Sequence, residues 1–252
     1  MAHLAHYREA HPLPFIITHW INLVCMILLI LSGIEIHYPV IGGLMGVARG
    51  VHFFCAFVIL INLIVRIVMA GFIKSAPTGG TREKELDMWC WLPQRHNRHQ
   101  LIPWIKYYLF FKKEHQLSGK YGVPQKLAYL LVALTLLFMG YTGFALWGPT
   151  MDMGFFAAFT TAVGGLMKVR VIHYFMMFWF ICFMFIHVYL ACIEGMAPAK
   201  LMFFNKEHGG LTYDLETMNI NGVDNLGEEP EELDYLVKEE GEEAAEEAPA
   251  QA

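Results

Sequence analysis

Four long runs of apolar residues dominate the sequence, and polar segments separate them. At a helical rise of about 1.5 Å per residue, each run is long enough to cross a hydrocarbon layer about 30 Å thick. The pattern therefore predicts an all-α integral membrane protein, in which four spanning helices form a bundle. The predicted helices cover residues 15–38, 51–73, 125–147 and 169–195.

The fourth run carries two histidines, His173 and His187, in an otherwise apolar stretch. They are fourteen residues apart. In a helix they would project from nearly the same face, at depths that differ by about 21 Å. An ionisable side chain inside a membrane is costly and usually functional. Two of them on one face predict two partners at two depths.

The connections between the runs predict the orientation in the membrane. Segment 74–126 holds ten Lys and Arg residues, whereas the first connection holds only Arg49 and the third holds Lys168 and Arg170. Since connections rich in Lys and Arg remain in the cytoplasm, we place this segment and both termini on the cytoplasmic side.

Composition supports a membrane protein and identifies an unusual tail. Hydrophobic residues make up 56% of the chain and charged residues only 16%. Residues 228–252 contain eleven acidic residues and one Lys, so they contribute −10 to the net charge of −5 and the remainder carries +5. We predict a four-helix domain over 1–200, an interfacial or cytoplasmic extension over 201–227, and a disordered acidic tail over 228–252.

The cysteines and the polar loop histidines predict no further metal site. The five cysteines show no CxxC spacing, and four of them lie in apolar runs, where a small buried side chain is the plainer interpretation. Cys90, His96 and His99 lie in segment 74–126, but their spacing matches no closed zinc site. We therefore predict a solvated loop there.

Orientation also assigns depths to the other membrane histidines. His19 follows the cytoplasmic start of the first helix, and His52 follows the outer start of the second. This predicts an outer layer of His52 and His173 and an inner layer of His19 and His187. Facing neutral imidazoles in a helix bundle can hold a planar metal macrocycle, a haem, in the core. An iron with two histidine ligands has no open position and suits electron transfer.

Basic residues near each layer are predicted counter-ions for haem propionates, because a charge at these depths needs a partner. They are Arg66 at the inner level, and Arg49, Lys168 and Arg170 at the outer level.

Two features leave alternatives open. Gly33, Gly140 and Gly143 either make room for the edge of a porphyrin or allow close helix–helix packing. His37 competes with His52, since it lies five turns after His19 on the same face. It is also about 27 Å from His19 along the helix axis, at the water boundary. We therefore favour His52 as the ligand.

Four sequence segments carry a family resemblance: HPLPFIITHWINLVCMILLILSG, RGVHFFCAFVILINLIVR, GKYGVPQKLAY and IHYFMMFWFICFMFIHVYL. Over residues 8–200 the chain resembles the diheme b-type cytochrome subunits of respiratory formate dehydrogenases and NiFe hydrogenases. The ligand pattern of that family falls on the four histidines that the depth argument selects.

The resemblance implies a route for electrons. In that family an iron–sulfur subunit delivers electrons to the outer of two haems b, and menaquinone or ubiquinone is reduced near the cytoplasmic face. The implied quinone region comprises His187, Tyr121, Gln125 and Gly122. The family usually has Asn at the position of Gly122, so a different quinone geometry, or none, stays open. Glu194 is either a proton carrier or an interfacial carboxylate in water.

The leading prediction is an electron-transfer subunit in the bacterial cytoplasmic membrane, in contact with lipid. A catalytic dehydrogenase or hydrogenase subunit would perform the primary chemistry, because this chain has no motif for an organic substrate, nucleotide or molybdenum site. No nucleic-acid partner is predicted. Two alternatives are a stand-alone diheme oxidoreductase acting on a diffusible donor or acceptor, and a haem-free transporter with histidines along its path.

Overall fold

The computed structural model describes residues 2–4, 11–75, 85–92, 100–112, 121–193, 197–204, 210–214 and 220–224. Its elements are β1 (Ala2–Leu4), α1 (Leu13–His37), α2 (Met45–Ala70), β2 (Lys74–Ser75), β3 (Glu85–Leu86), α3 (Asp87–Trp91), α4 (Leu101–Tyr108), α5 (Val123–Leu146), α6 (Gly154–Val163), α7 (Leu166–Ile193), α8 (Ala197–Phe204), β4 (Gly210–Asp214) and β5 (Ile220–Asp224). Among the described residues, α1, α2, α5 and α7 are long and apolar enough to span a membrane. The predicted four-helix membrane fold is confirmed.

Helix α2 begins six residues before the predicted start, at Met45 instead of residue 51. Gly46 and Gly50 lie inside this helix, where each glycine costs only about 1 kcal/mol relative to alanine. The true turn is shorter and uses Gly43, whose φ of +85° favours glycine. Arg49 therefore lies inside α2, and His52 lies two turns into the helix instead of near its start.

The bundle buries a small core and leaves wide apolar faces exposed. Cys25, Cys55, Ile59, Leu136 and Phe180, which come from all four spanning helices, form the central cluster. Large side chains point outward, for example Phe175 at 72% and Phe185 at 74% exposure. Such faces are expected where the surrounding solvent is lipid.

Gly140 allows α5 to approach α2 closely. A Cβ atom added there would lie 3.1 Å from both methyl carbons of Leu60. Of the two interpretations of this glycine, the structure supports helix packing.

The segment between α5 and α7 contains a further, shorter helix. Helix α6 packs Phe156 against Ala145 of α5 and Val169 of α7. Gly164 and Gly165, with φ of +92° and +106°, then reverse the chain into α7. As a result α7 begins at Leu166, three residues before its predicted start.

At the other end of the bundle, the helix that follows α7 packs against α1. Helix α8 buries Leu201 completely, and the indole nitrogen of Trp20 in α1 donates a hydrogen bond to the Met202 carbonyl, 2.8 Å away. Strand β1 pairs antiparallel with β4, and β4 pairs with β5. This small sheet was not predicted for the extension over 201–227. It pairs residues 2–4 with residues 212–214, whereas residues 228–252 lie outside the described residues.

Candidate functional site

Two pairs of histidines face each other inside the bundle. The rings of His52 in α2 and His173 in α7 have centroids 6.3 Å apart with an interplanar angle of 61°. The rings of His19 in α1 and His187 in α7 have centroids 6.2 Å apart at 45°. These are the pairs that the depth argument predicts, and each joins two different helices.

The spacing of both pairs fits a metal ion between two imidazoles. A bond of about 2.0 Å from the metal to each ring nitrogen, extended by the distance from each nitrogen to its ring centre, places the centroids about 6 Å apart. In the described residues no group of three or more His, Cys, Asp or Glu side chains could hold a metal ion. Each pair of imidazoles would therefore suit a metal whose other ligands come from a macrocycle.

Two hydroxyl groups and two glycines border the outer pair of histidines. Ser32 Oγ lies 3.0 Å from His52 Nδ1, and Thr142 Oγ1 lies 2.8 Å from His173 Nδ1. The next residue in each case is a glycine. A Cβ added to Gly33 would lie 3.5 Å from His52 Cε1, and one added to Gly143 would lie 3.4 Å from His173 Cε1. These two glycines thus border the imidazoles, unlike Gly140.

Replacing Gly143 with valine is expected to weaken macrocycle binding at the outer layer by at least tenfold. The branched side chain would crowd the ring edge of His173, and displacing a metal ligand or its support typically costs 10–100-fold in affinity. Haem content per chain after dialysis measures this. Gly46→Val is the control, because nothing lies within 4 Å of a Cβ at that position. Equal losses in the two variants would contradict the assignment of Gly143.

Aromatic rings surround the inner pair. The edge of Trp20 meets His19 with centroids 5.6 Å apart, and His187 stacks on Phe183 at 5.7 Å and 19°. His19 Nδ1 is buried and has no hydrogen-bond partner. Trp20 also contacts α8, through its hydrogen bond to the Met202 carbonyl and its ring contact with Phe203, so α8 packs beside the inner layer.

A polar contact that the sequence analysis missed joins α1 to α2 near the inner layer. The buried side chain of Asn62 donates hydrogen bonds to the Thr18 carbonyl at 2.8 Å and to Asn22 Oδ1 at 2.7 Å. Asn62 lies one turn before Arg66 on the same face of α2. The sequence signal for this contact is a polar amide side chain, that of Asn62, in an otherwise apolar run.

Arg66 has a counter-ion that the sequence analysis did not foresee. Its Nη2 donates to the fully buried carboxylate of Asp87 at 2.7 Å, and its guanidinium lies 3.8 Å from the ring centre of Phe15. Ser75 and Trp91 also donate to Asp87, at 2.8 and 3.1 Å. Arg66 therefore does not depend on a haem propionate for its charge balance. Its Nη1 is buried without a hydrogen-bond partner.

The remaining predicted residues lie at the outer end. Arg49, Lys168 and Arg170 are exposed near the outer layer, in α2 and α7. His37 is exposed and stacks on Tyr174, with centroids 3.9 Å apart at 11°. Its ring contacts tyrosines, whereas His52 faces another histidine.

The first residues of α5 and its N-cap include two residues of the predicted quinone region, Gly122 and Gln125. The Gly122 N–H donates to Gln125 Oε1 at 2.8 Å, and Gly122 is the N-cap residue with an ordinary φ of −61°. Asn and Gly are both favoured at N-caps. The glycine in place of the family's asparagine is thus compatible with the start of this helix. For Gln125 the structure adds a capping role.

Tyr121 lies beside the Arg66–Asp87 pair. Burial, together with nearby Tyr129 and Asp87, raises the pKa of Tyr121 well above its usual range, so its phenol is protonated at physiological pH. Its ring meets that of Tyr129 at 5.1 Å and 85°.

Three predicted residues fall outside the described part of the chain: Glu194, His96 and His99. Cys90, which the sequence analysis considered with the loop histidines, is buried and lies 3.9 Å from Ser75 Oγ.

Four membrane-spanning helices bring histidines together in two facing pairs. This arrangement is that of a membrane-integral b-type cytochrome. The chain belongs to the prokaryotic cytochrome b561 family, whose model matches residues 10–205. Membership implies haem b as the cofactor, as predicted.

The chain is also similar to a relative in Cupriavidus necator, described as a probable Ni/Fe-hydrogenase B-type cytochrome subunit. The two are 25% identical over 199 residues, and the match covers 73% of this chain and 78% of that protein. The resemblance to b-type cytochrome subunits of hydrogenase-type complexes is thereby confirmed.

Proposed function

We propose that this chain is the diheme membrane subunit of a respiratory oxidoreductase complex. His52 and His173 would hold an outer haem b, and His19 and His187 an inner one. Haems held there would supply reversible one-electron transfer between an iron–sulfur partner outside and a quinone near the cytoplasmic face. The observation that carries this proposal is the pair of facing imidazoles at each of two levels, spaced for one iron each.

The residues around the layers support electron transfer in preference to substrate chemistry. Each proposed site has two protein ligands from opposite helices, so neither leaves a position for a substrate. The core between the layers is filled by apolar side chains such as Cys55, Leu136 and Phe180. This packing excludes water and keeps the two layers at fixed positions. Arg49, Lys168 and Arg170 would balance propionates at the outer layer, and Nη1 of Arg66 is the donor available at the inner one.

The inner end has groups suited to a quinone. Tyr121 supplies a protonated phenol, and the Arg66–Asp87 pair beside it supplies a buried charged group. We place the quinone region there, with Tyr121, Gly122 and Gln125 at the start of α5 and His187 as the nearest proposed haem ligand. Menaquinone and ubiquinone share the carbonyl chemistry that such donors recognise.

The proposed partners follow from the relative described as a hydrogenase subunit. A catalytic hydrogenase subunit, or a formate dehydrogenase in its place, would oxidise the primary donor, and an iron–sulfur subunit would carry electrons to the outer layer. If both termini lie in the cytoplasm, as the basic connections predict, the outer histidine pair would face that partner.

The test is a reduced-minus-oxidised spectrum with haem quantitation on the complex isolated in mild detergent. Two haems b per chain and co-isolation of an iron–sulfur protein are expected. A colourless protein would overturn the proposal in favour of a haem-free transporter. Two haems without any iron–sulfur partner would favour a stand-alone oxidoreductase.

Replacing Tyr121 with phenylalanine is expected to slow quinone reduction about fivefold, because one hydrogen bond contributes about 1 kcal/mol. The measurement is reoxidation of dithionite-reduced haem by a soluble menaquinone analogue, followed by stopped-flow absorbance. Tyr38→Phe, at the exposed outer end, is the matched control. An unchanged rate in Tyr121→Phe would remove Tyr121 from the quinone region.

A further inference from the structure

The outer and inner histidine pairs differ in what holds the imidazole rings. Each outer ring has a hydroxyl group of a neighbouring helix at its Nδ1 atom: Ser32 of α1 contacts His52 of α2, and Thr142 of α5 contacts His173 of α7. Ser32 is 6% exposed and Thr142 is 0% exposed, so water does not compete for these contacts. The inner His19 has no such partner at its Nδ1.

The hydrogen bonds of the two hydroxyls determine which ring nitrogen carries the proton. A hydroxyl has one proton to donate. Ser32 Oγ donates to the Leu28 carbonyl at 2.6 Å, and Thr142 Oγ1 donates to the Met139 carbonyl at 3.0 Å. Each hydroxyl oxygen is therefore left to accept a hydrogen bond from Nδ1–H of its histidine. The proton on Nδ1 leaves Nε2 with the lone pair that binds a metal.

The residue after each hydroxyl contributes to the same arrangement. Gly33 follows Ser32 and Gly143 follows Thr142, and a Cβ at either position would be in contact with the histidine ring. A Ser/Thr–Gly dipeptide thus occurs on two different helices, and in each case the hydroxyl contacts the ring nitrogen while the glycine borders the ring edge. The same device on both sides of one layer indicates a common function.

We propose that Ser32 and Thr142 are positioning residues for the outer haem, which hold His52 and His173 as Nδ1–H tautomers and make them stronger electron donors to the iron. This inference rests on the proposed function. A histidine that donates its other N–H to an acceptor is a more basic ligand, and an electron-rich ligand stabilises the oxidised iron. The hydroxyls therefore lower the midpoint potential of the outer haem and leave the inner one unaffected.

The experiment uses Ser32→Ala and Thr142→Val in the full complex. Thr142→Val keeps the shape of the side chain and removes only the hydroxyl. Optical redox titration is expected to show an upward shift in the potential of one haem, the one that His173→Ala eliminates, and an unchanged potential for the other. The affinity for that haem is expected to fall about 10–100-fold, which haem retention on dilution measures.

Three further variants separate a positioning role from general damage to the protein. Ser32→Thr and Thr142→Ser keep the hydroxyl and are expected to restore the potential. Thr135→Val makes the same exchange as Thr142→Val on the same helix. Within the described residues the Thr135 hydroxyl donates to the carbonyls of Leu131 and Val132, so this variant is expected to change neither haem.

Three outcomes would overturn the inference: an unchanged outer potential and haem affinity in both hydroxyl-free variants, equal shifts of both haems, or failure of the conservative variants to restore the potential. Each of these can occur in a protein that still binds two haems, and the proposed function would then survive. If the unmodified protein binds no haem, the proposed function itself has failed.

Discussion

Replacement of His173 with alanine is expected to halve the haem content, from two haems b per chain to one. His52 would be the only remaining ligand at the outer layer, and the Thr142 hydroxyl would lose the ring that it contacts. The inner layer lies about 21 Å away along α7, beyond the packed cluster of Leu136 and Phe180. The inner haem should therefore stay bound with its spectrum unchanged.

The measurement is haem quantitation per chain, together with a low-temperature difference spectrum of each variant. His37→Ala is the control, because His37 is the competing histidine and stacks on Tyr174 instead of facing another histidine. It is expected to retain both haems. If His37→Ala lost the outer haem and His173→Ala kept it, the outer ligands would have to be reassigned.

Replacement of Asp87 with alanine is expected to cause the largest loss of stability, about 3 kcal/mol. Asp87 is fully buried and accepts hydrogen bonds from Arg66, Ser75 and Trp91. Its removal would leave the Arg66 guanidinium, with a side chain only 15% exposed, without its counter-ion. Removing one partner of a buried ion pair typically costs 3–5 kcal/mol, and the residual exposure of Arg66 places the loss at the lower end of that range.

Thermal unfolding in detergent, followed by loss of haem absorbance and by circular dichroism, measures this effect. Asp87→Asn keeps the size of the side chain and some of its hydrogen bonds, so we expect an intermediate loss. Asp152→Ala removes an exposed carboxylate at the opposite end of the bundle and should leave the melting temperature unchanged. A melting temperature of Asp87→Ala within error of the unmodified protein would contradict the structural role of this ion pair.

The ion pair also changes the interpretation of Arg66. From its position in α2, Arg66 is predicted to lie at the inner level with a haem propionate as its counter-ion. Its observed partner is 21 residues away along the chain, in a connection where most charges are basic. Sequence patterns predict that a charge in a membrane needs a partner. They do not predict which residue of a folded connection reaches it.

The predicted pairing of the histidines and their observed proximity agree for a physical reason. A spanning helix has a fixed rise per residue, and the alternation of inside and outside ends follows from the connections. The depth of each histidine is thus nearly a linear function of its position in its helix. Helix α2 starts six residues earlier than predicted. His52 still faces His173, because the additional helical residues precede His52 and do not change its position relative to the residues that follow it.

The four spanning segments and the pairing of the histidines in two layers could be predicted from the amino-acid sequence alone. The contacts around the rings could not: Ser32 reaches His52 from α1, Thr142 reaches His173 from α5, and the inner pair meets aromatic rings instead. The reason is that hydropathy and helical rise set position along a helix axis. The rotation of each helix toward its neighbours depends on side-chain packing, such as that of Leu60 against Gly140, which no single segment of sequence contains.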